Sequence, residues 1–245
     1  MTKQYRWWEY AIRAMAIVAV TVWYGTLFLL RRMLGAAPTL TYRIFPRWAR
    51  AVLRAAGVEL QVKGSELLDR EGGRYVFVAN HASLFDIPVL LVASPLPVRI
   101  VYKRELERVP FLGWALRSST FLAVERQRWQ SAGKAVRHAL DTLKTDPAAL
   151  LVFPEGTRST DGRLGEFRRG AFVLAFESKR AIVPIAVVGT AAILPRGTLR
   201  FSGGTVRVEF LPPRVPPPME TRADERAWIA ALREEIADVV GKAFE

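Results

Sequence analysis

The chain has 245 residues, a formal net charge of +13, a hydrophobic content of 51% and no cysteine. The length suffices for one sizeable α/β core. The missing cysteine excludes disulfides, thiolate metal sites and a cysteine nucleophile. The charge is unevenly spread, since residues 1–54 hold nine basic side chains against Glu9 alone. Such a field attracts polyanions, either nucleic acid or an anionic membrane surface.

The first predicted element decides between those two. Residues 14–30 form an uncharged apolar run bracketed by Arg13 and Arg31-Arg32. Trp7, Trp8 and Tyr10 precede it. The run is at the short limit for a span, which needs about 20 residues. Basic residues on both flanks give the positive-inside rule no direction, and a re-entrant or in-plane helix pair, with both flanks on the same side, fits that symmetry best. Arg31-Arg32 directly after the run disfavours a cleaved leader. Gly35 to Pro38 ends the helix. Leu40, Ile44, Trp48, Val52 and Ala56 then recur at fours, with Arg43, Arg47, Arg50 and Arg54 off that line. Residues 1–56 therefore read as a membrane-associated helical hairpin and 57–245 as an α/β domain. Nucleic acid is not an expected partner, because no recognisable binding module accompanies the charge.

Within the second part, strands are predicted at 57–63, 74–79, 98–102, 119–124, 149–153, 181–187 and 205–210. Helices are predicted at 83–93, 110–117, 130–145, 167–178 and 222–240. This alternation predicts an α/β fold with a mixed central sheet of about seven strands flanked by helices. The runs at 75–79 and 149–153 are continuously apolar, as buried sheet strands are.

Of the two histidines, His81 follows the strand YVFVA, where open α/β sheets place ligands. A neutral imidazole there can take a proton from a hydroxyl. Asp86 is its expected orienter. Five residues on a regular helix would set the two about 140° apart, so pairing requires His81 in a turn with Asp86 reaching back. Asn80 is placed to cap the helix or tie the turn. No G-x-S-x-G elbow, nucleotide loop or zinc motif is present, so the histidine is expected to activate a substrate hydroxyl, with no metal. The second block is Phe153-Pro154-Glu155-Gly156-Thr157-Arg158-Ser159. Arginine offers a planar fork suited to phosphate, and Lys103, Arg104, Arg126, Arg128, Arg158, Arg168 and Arg169 are the basic candidates. Glu155 either meets a polar substrate group or holds Arg158.

The intact N-H-x4-D element (Asn80, His81, Asp86), the F-P-E-G-T-R-S element from Phe153 and the Val183-Pro184 pair strongly resemble the glycerolipid acyltransferase family, bacterial members above all. The Lys103-x-Glu105-Leu106 and Pro110-Phe111-Leu112-Gly113 stretches are similar too. The likeness covers roughly residues 55–210. One block departs: Thr120 stands where the family's G-x-x-F-I-D-R element has glycine, and Glu125 replaces its aspartate while Arg126 keeps the basic position.

The resemblance implies transfer of a fatty acyl group from acyl-carrier protein or acyl-CoA to the 2-hydroxyl of 1-acyl-glycerol-3-phosphate, giving phosphatidic acid. A different lysolipid or amino-lipid acceptor is the alternative. His81 would be the base and Asp86 its partner. Lys103, Arg126, Glu155, Gly156, Thr157 and Arg158 would bind substrate, with amides near Gly156-Thr157 as oxyanion donors. No bound cofactor is expected. The implied place is the cytoplasmic or cell inner membrane, with the site near its cytoplasmic face.

Overall fold

The computed structural model describes residues 2–37, 42–71, 73–109, 112–124, 147–159 and 162–242. A two-residue strand β1 (Thr2–Lys3) leads into the 27-residue helix α1 (Trp7–Met33), which closes on Gly35 at φ 77°. Helix α2 (Ile44–Ala56) follows and ends on Gly57 in the left-handed conformation. The remaining order is β2 (Val58–Lys63), β3 (Tyr75–Ala79), α3 (Asp86–Ala93), β4 (Val98–Lys103), α4 (Leu112–Ser118), β5 (Leu122–Val124), β6 (Ala149–Val152), α5 (Val173–Ser178), β7 (Ala181–Val188), α6 (Thr190–Ile193), β8 (Gly203–Phe210) and α7 (Arg222–Gly241).

The sheet is eight-stranded and mixed, ordered β1-β8-β7-β3-β6-β4-β5 with β2 paired to β8. Strands β7, β3, β6, β4 and β5 run parallel; β8 is antiparallel to β7 and parallel to β2. Alternating side chains of β3 divide between two cores. Phe77 and Ala79 pack with Leu151, Val183 and Ile185 under α2 and α3. Val76 and Val78 pack with Leu150, Val152 and Ile182 under α5 and α7. Helix α7 presents Ile229, Leu232, Ile236 and Val240 at helical spacing to this second face. Helices thus cover both faces of the sheet, and seven of its strands coincide with those expected. The eighth, β1, was not predicted; two residues are too short to show a period.

Three boundaries differ from expectation. The helix predicted from 83 begins at Asp86, because the Ala82 and Ser83 amides are drawn onto the Asp86 carboxylate instead of entering a helical ladder. The strand predicted from 119 begins at Leu122. The helix predicted from 167 opens as a 3-10 turn at Arg169–Phe172 before α5. The helix predicted at 130–145, together with Arg126, Arg128 and Pro110-Phe111, lies outside the described residues.

Helix α1 packs along α2 and carries few buried residues. Its most apolar 18-residue window has mean hydropathy 1.7 and is 6% buried, long and apolar enough to cross a membrane by length and composition.

Candidate active site

The two sequence blocks meet because β3 and β6 are neighbours. They pair in parallel through Val76↔Leu150, Phe77↔Leu151 and Val78↔Val152. Both chains therefore leave the same edge of the sheet side by side, His81 from β3 and Phe153 to Ser159 from β6.

The turn after β3 is built around one carboxylate. Asp86, fully buried, opens α3, and its Oδ2 lies 2.7 Å from His81 Nδ1. The same oxygen accepts from the Ala82 amide at 2.7 Å and the Ser83 amide at 2.8 Å. Because Oδ2 only accepts, Nδ1 carries the proton and Nε2 is the basic nitrogen. Among the described residues Nε2 has no hydrogen-bond partner. The ring is 17% exposed and stacks on Phe153, with centroids 4.1 Å apart.

Two further clips hold the turn. Asn80 donates Nδ2–H to the Val187 carbonyl at 2.8 Å, and its Oδ1 accepts the Val187 amide at 2.7 Å. Ser83, fully buried, donates its hydroxyl to the Leu194 carbonyl at 2.9 Å, an engagement that leaves it inside the fold. Val183-Pro184-Ile185 lies in buried β7, just before the residue Asn80 grips.

Glu155 joins the two blocks through backbone. Its Oε1 accepts the His81 amide at 2.7 Å and its Oε2 the Gly165 amide at 3.0 Å. A Cβ at residue 165 would come within 3.0 Å of that Oε2, so glycine permits the approach. Burial pushes the Glu155 carboxyl above its ordinary range, against the opposing pull of those two amides. Glu155 therefore holds the loops rather than Arg158. The Ser159 amide adds a bond to the His81 carbonyl at 2.8 Å.

Gly156 adopts φ 70°, the left-handed region that glycine enters freely. Its amide closes a turn on the Phe153 carbonyl at 3.0 Å, so the expectation that it serves as an oxyanion donor does not hold in this conformation. The Thr157 amide makes no such bond among the described residues.

A cleft of about 600 Å³ opens beside Glu155. Glu155, Thr157, Arg158, Arg163, Arg168 and Arg196 are among its lining residues; His81 is not. Lys103 stands at the end of β4, half-exposed and 3.3 Å from Glu105, outside the cleft lining. Arg169 pairs with Glu225 on α7 and so serves the fold. Arg196 was not among the predicted residues, and its isolated position between Pro195 and Gly197 gave no signal.

A histidine paired with a buried aspartate at the carboxyl edge of the parallel strands, together with an arginine-lined cleft, is equipped for proton transfer and for holding an anion. Residues 59–188, more than half of the chain, match the family model described as Acyltransferase, and the chain belongs to that family. It is 34% identical over 151 residues to 1-acyl-sn-glycerol-3-phosphate acyltransferase LPAT1, chloroplastic, of Arabidopsis thaliana, covering 61% of this chain and 42% of that protein. It is 35% identical over 159 residues to the 1-acyl-sn-glycerol-3-phosphate acyltransferase of Saccharomyces cerevisiae, covering 64% and 52%. The chain spans about half the length of the curated relatives it matches. The crystal structure of the 1-acyl-sn-glycerophosphate (LPA) acyltransferase PlsC from Thermotoga maritima shares its fold, with a TM-score of 0.76, 24% identity and 94% of each chain covered.

Proposed function

We propose that this chain transfers a fatty acyl group from an acyl-carrier protein or CoA thioester to the 2-hydroxyl of 1-acyl-sn-glycerol-3-phosphate, forming phosphatidic acid. The observation that carries the reading is the 2.7 Å contact between His81 Nδ1 and buried Asp86, which leaves Nε2 as the basic nitrogen. His81 Nε2 takes the acceptor's hydroxyl proton as that oxygen attacks the thioester carbonyl. The C–O bond forms, the C–S bond breaks, and the proton on His81 passes to the departing thiolate. Asp86 stabilises the imidazolium between those steps. No acyl-enzyme forms, in keeping with the buried, hydrogen-bonded Ser83. Arg158, which lines the cleft, binds the acceptor phosphate, and the Thr157 amide is the remaining candidate for the oxyanion.

The reading places the protein at the cytoplasmic face of the membrane, with α1 lying in one leaflet. Exposed Ile12, Met15, Val18, Val22 and Trp23 on α1 support this, as do exposed Arg43, Arg47, Arg50 and Arg54 on or beside α2. A lysolipid acceptor and a two-chain product both reside in that phase.

The test is an assay in lipid vesicles with labelled acyl-CoA or acyl-carrier protein and 1-acylglycerol-3-phosphate, run beside His81→Ala. Wild type forms phosphatidic acid, and the variant is slower by roughly 10²–10⁴-fold while still folded. Folded wild type that forms none with either donor would overturn the acceptor assigned.

A further inference from the structure

The cleft carries more positive charge than the sequence blocks supply. Arg158 belongs to the second block, but Arg163, Arg168 and Arg196 line the same cavity from other segments. The buried carboxylate there, Glu155, has both oxygens engaged by backbone amides. Arg158, Arg168 and Arg196 have no carboxylate partner among the described residues.

Arg196 reaches the Arg158 loop through its guanidinium. It follows α6, and its Nη1 donates to the Arg158 carbonyl at 2.6 Å. That contact uses one of five guanidinium donors. The other donors remain in the cleft that Arg158 and Glu166 also line, and Arg196 makes no ion pair among the described residues. An anion bound in this concave site has to accept hydrogen bonds from arginines on two segments, Arg158 and Arg196. A phosphate monoester, with its charge and its several acceptor oxygens, meets that requirement best.

We propose that Arg196 is a second phosphate-binding residue, sharing with Arg158 the phosphate monoester of a substrate and holding the Arg158 loop in place. The inference rests on the reading of this cleft as the substrate site. Two substrates of the proposed reaction carry a phosphate monoester: the glycerol phosphate acceptor, and CoA through its ribose phosphate. The prosthetic arm of a carrier protein offers only a diester, so the two sources are separable.

Binding is measured first, without turnover, on the full chain in detergent. Inorganic phosphate raises the melting temperature of wild type above a chloride control of equal ionic strength, and Arg196→Gln loses most of that shift. Arg196→Lys, which keeps charge but not the fork, recovers part of it. An equal shift in wild type and Arg196→Gln, or none in wild type, would overturn the proposal. This arm decides the matter even if no acyl transfer is detected, so its failure is distinct from failure of the proposed reaction.

Turnover then identifies the source. If the acceptor supplies the phosphate, Arg196→Gln lowers the preference for 1-acylglycerol-3-phosphate over monoacylglycerol on the order of tenfold, as one charged hydrogen-bonding partner is worth. If CoA supplies it, the preference for acyl-CoA over acyl-carrier protein falls instead. A loss equal for every acceptor and donor would reduce Arg196 to a tie for the loop and sink its phosphate role.

Discussion

Asp86 Oδ2 takes three donors, so one atom sets both the shape of the turn and the tautomer of His81. Glu155 does similar work from the other side, and its titration makes that work measurable. Burial is the first cause of its raised pKa, prevailing over the His81 and Gly165 amides that favour the charged form. The native state therefore keeps the Glu155 proton to higher pH than the unfolded chain, whose value is near 4.5. Over the interval between the two values the native state binds more protons, and stability falls as pH rises. The Glu155 contribution is full below the unfolded value and is lost as pH climbs through the folded one. Glu155→Gln cannot titrate. Denaturant unfolding of both proteins across the acid range should show wild type losing stability relative to Glu155→Gln with increasing pH. The constant cost of turning an amide NH₂ toward a backbone amide shifts that difference without giving it a slope. A flat difference would contradict the assigned shift.

At the scale of elements, β3 and β7 pair from Tyr75↔Ala181 to Ala79↔Ile185, and Asn80 then continues the ladder with its side chain. The backbone is thereby released to turn toward Asp86 while the strand end stays fixed. Asn80→Ala leaves both polar groups of Val187 without that partner at a buried position. The expected cost is about 1–3 kcal/mol for each orphaned group, read as a lower urea midpoint with unchanged slope. A midpoint within error of wild type would show that the clip is dispensable.

The same residues mark what was legible in the chain. β3 and β6 are visible as apolar runs, His81 and Arg158 stand out just after them, and Asp86 stands out as the acid five residues beyond His81. Asn80 was read only as a cap or a tie, since Val187 lies 107 positions away and no local pattern reports that bond. Ser83 was placed inside a helix because its link to Leu194, 111 positions on, is equally long-range. Arg196 was missed for the same reason: its distinguishing contact is a carbonyl 38 residues earlier.

For the whole molecule, the proposed placement of α1 in one leaflet is tested by where the body touches the helix. Tyr10 donates to the Leu199 carbonyl at 3.0 Å and Arg13 to the Ala55 carbonyl at 2.8 Å. Trp48 donates to Thr21 at 3.2 Å, and the Phe28 and Phe45 rings meet at a tilt with centroids 5.3 Å apart. From residue 10 to residue 28 the helix advances about 27 Å, nearly the whole of a hydrocarbon core of about 30 Å. Crossing the bilayer would therefore carry the attached body in with it, including Arg47, Arg50 and Arg54 of α2, each costing about 2.5–3.5 kcal/mol at the centre. Lying in one leaflet avoids that cost. It buries exposed Ile12, Met15, Val18, Val22 and Trp23, and it leaves the arginines among anionic headgroups at about 1 kcal/mol apiece. The two arrangements differ in where the ends of α1 sit. The chain has no cysteine, so Trp8→Cys and Met33→Cys each introduce a single thiol at an exposed position. In sealed membrane vesicles an impermeant maleimide should label both variants or neither, depending on vesicle orientation. Labelling of one variant with protection of the other in the same vesicles would show a span. The proposed lysolipid acceptor would then have to approach from beside a crossing helix rather than from above one lying flat.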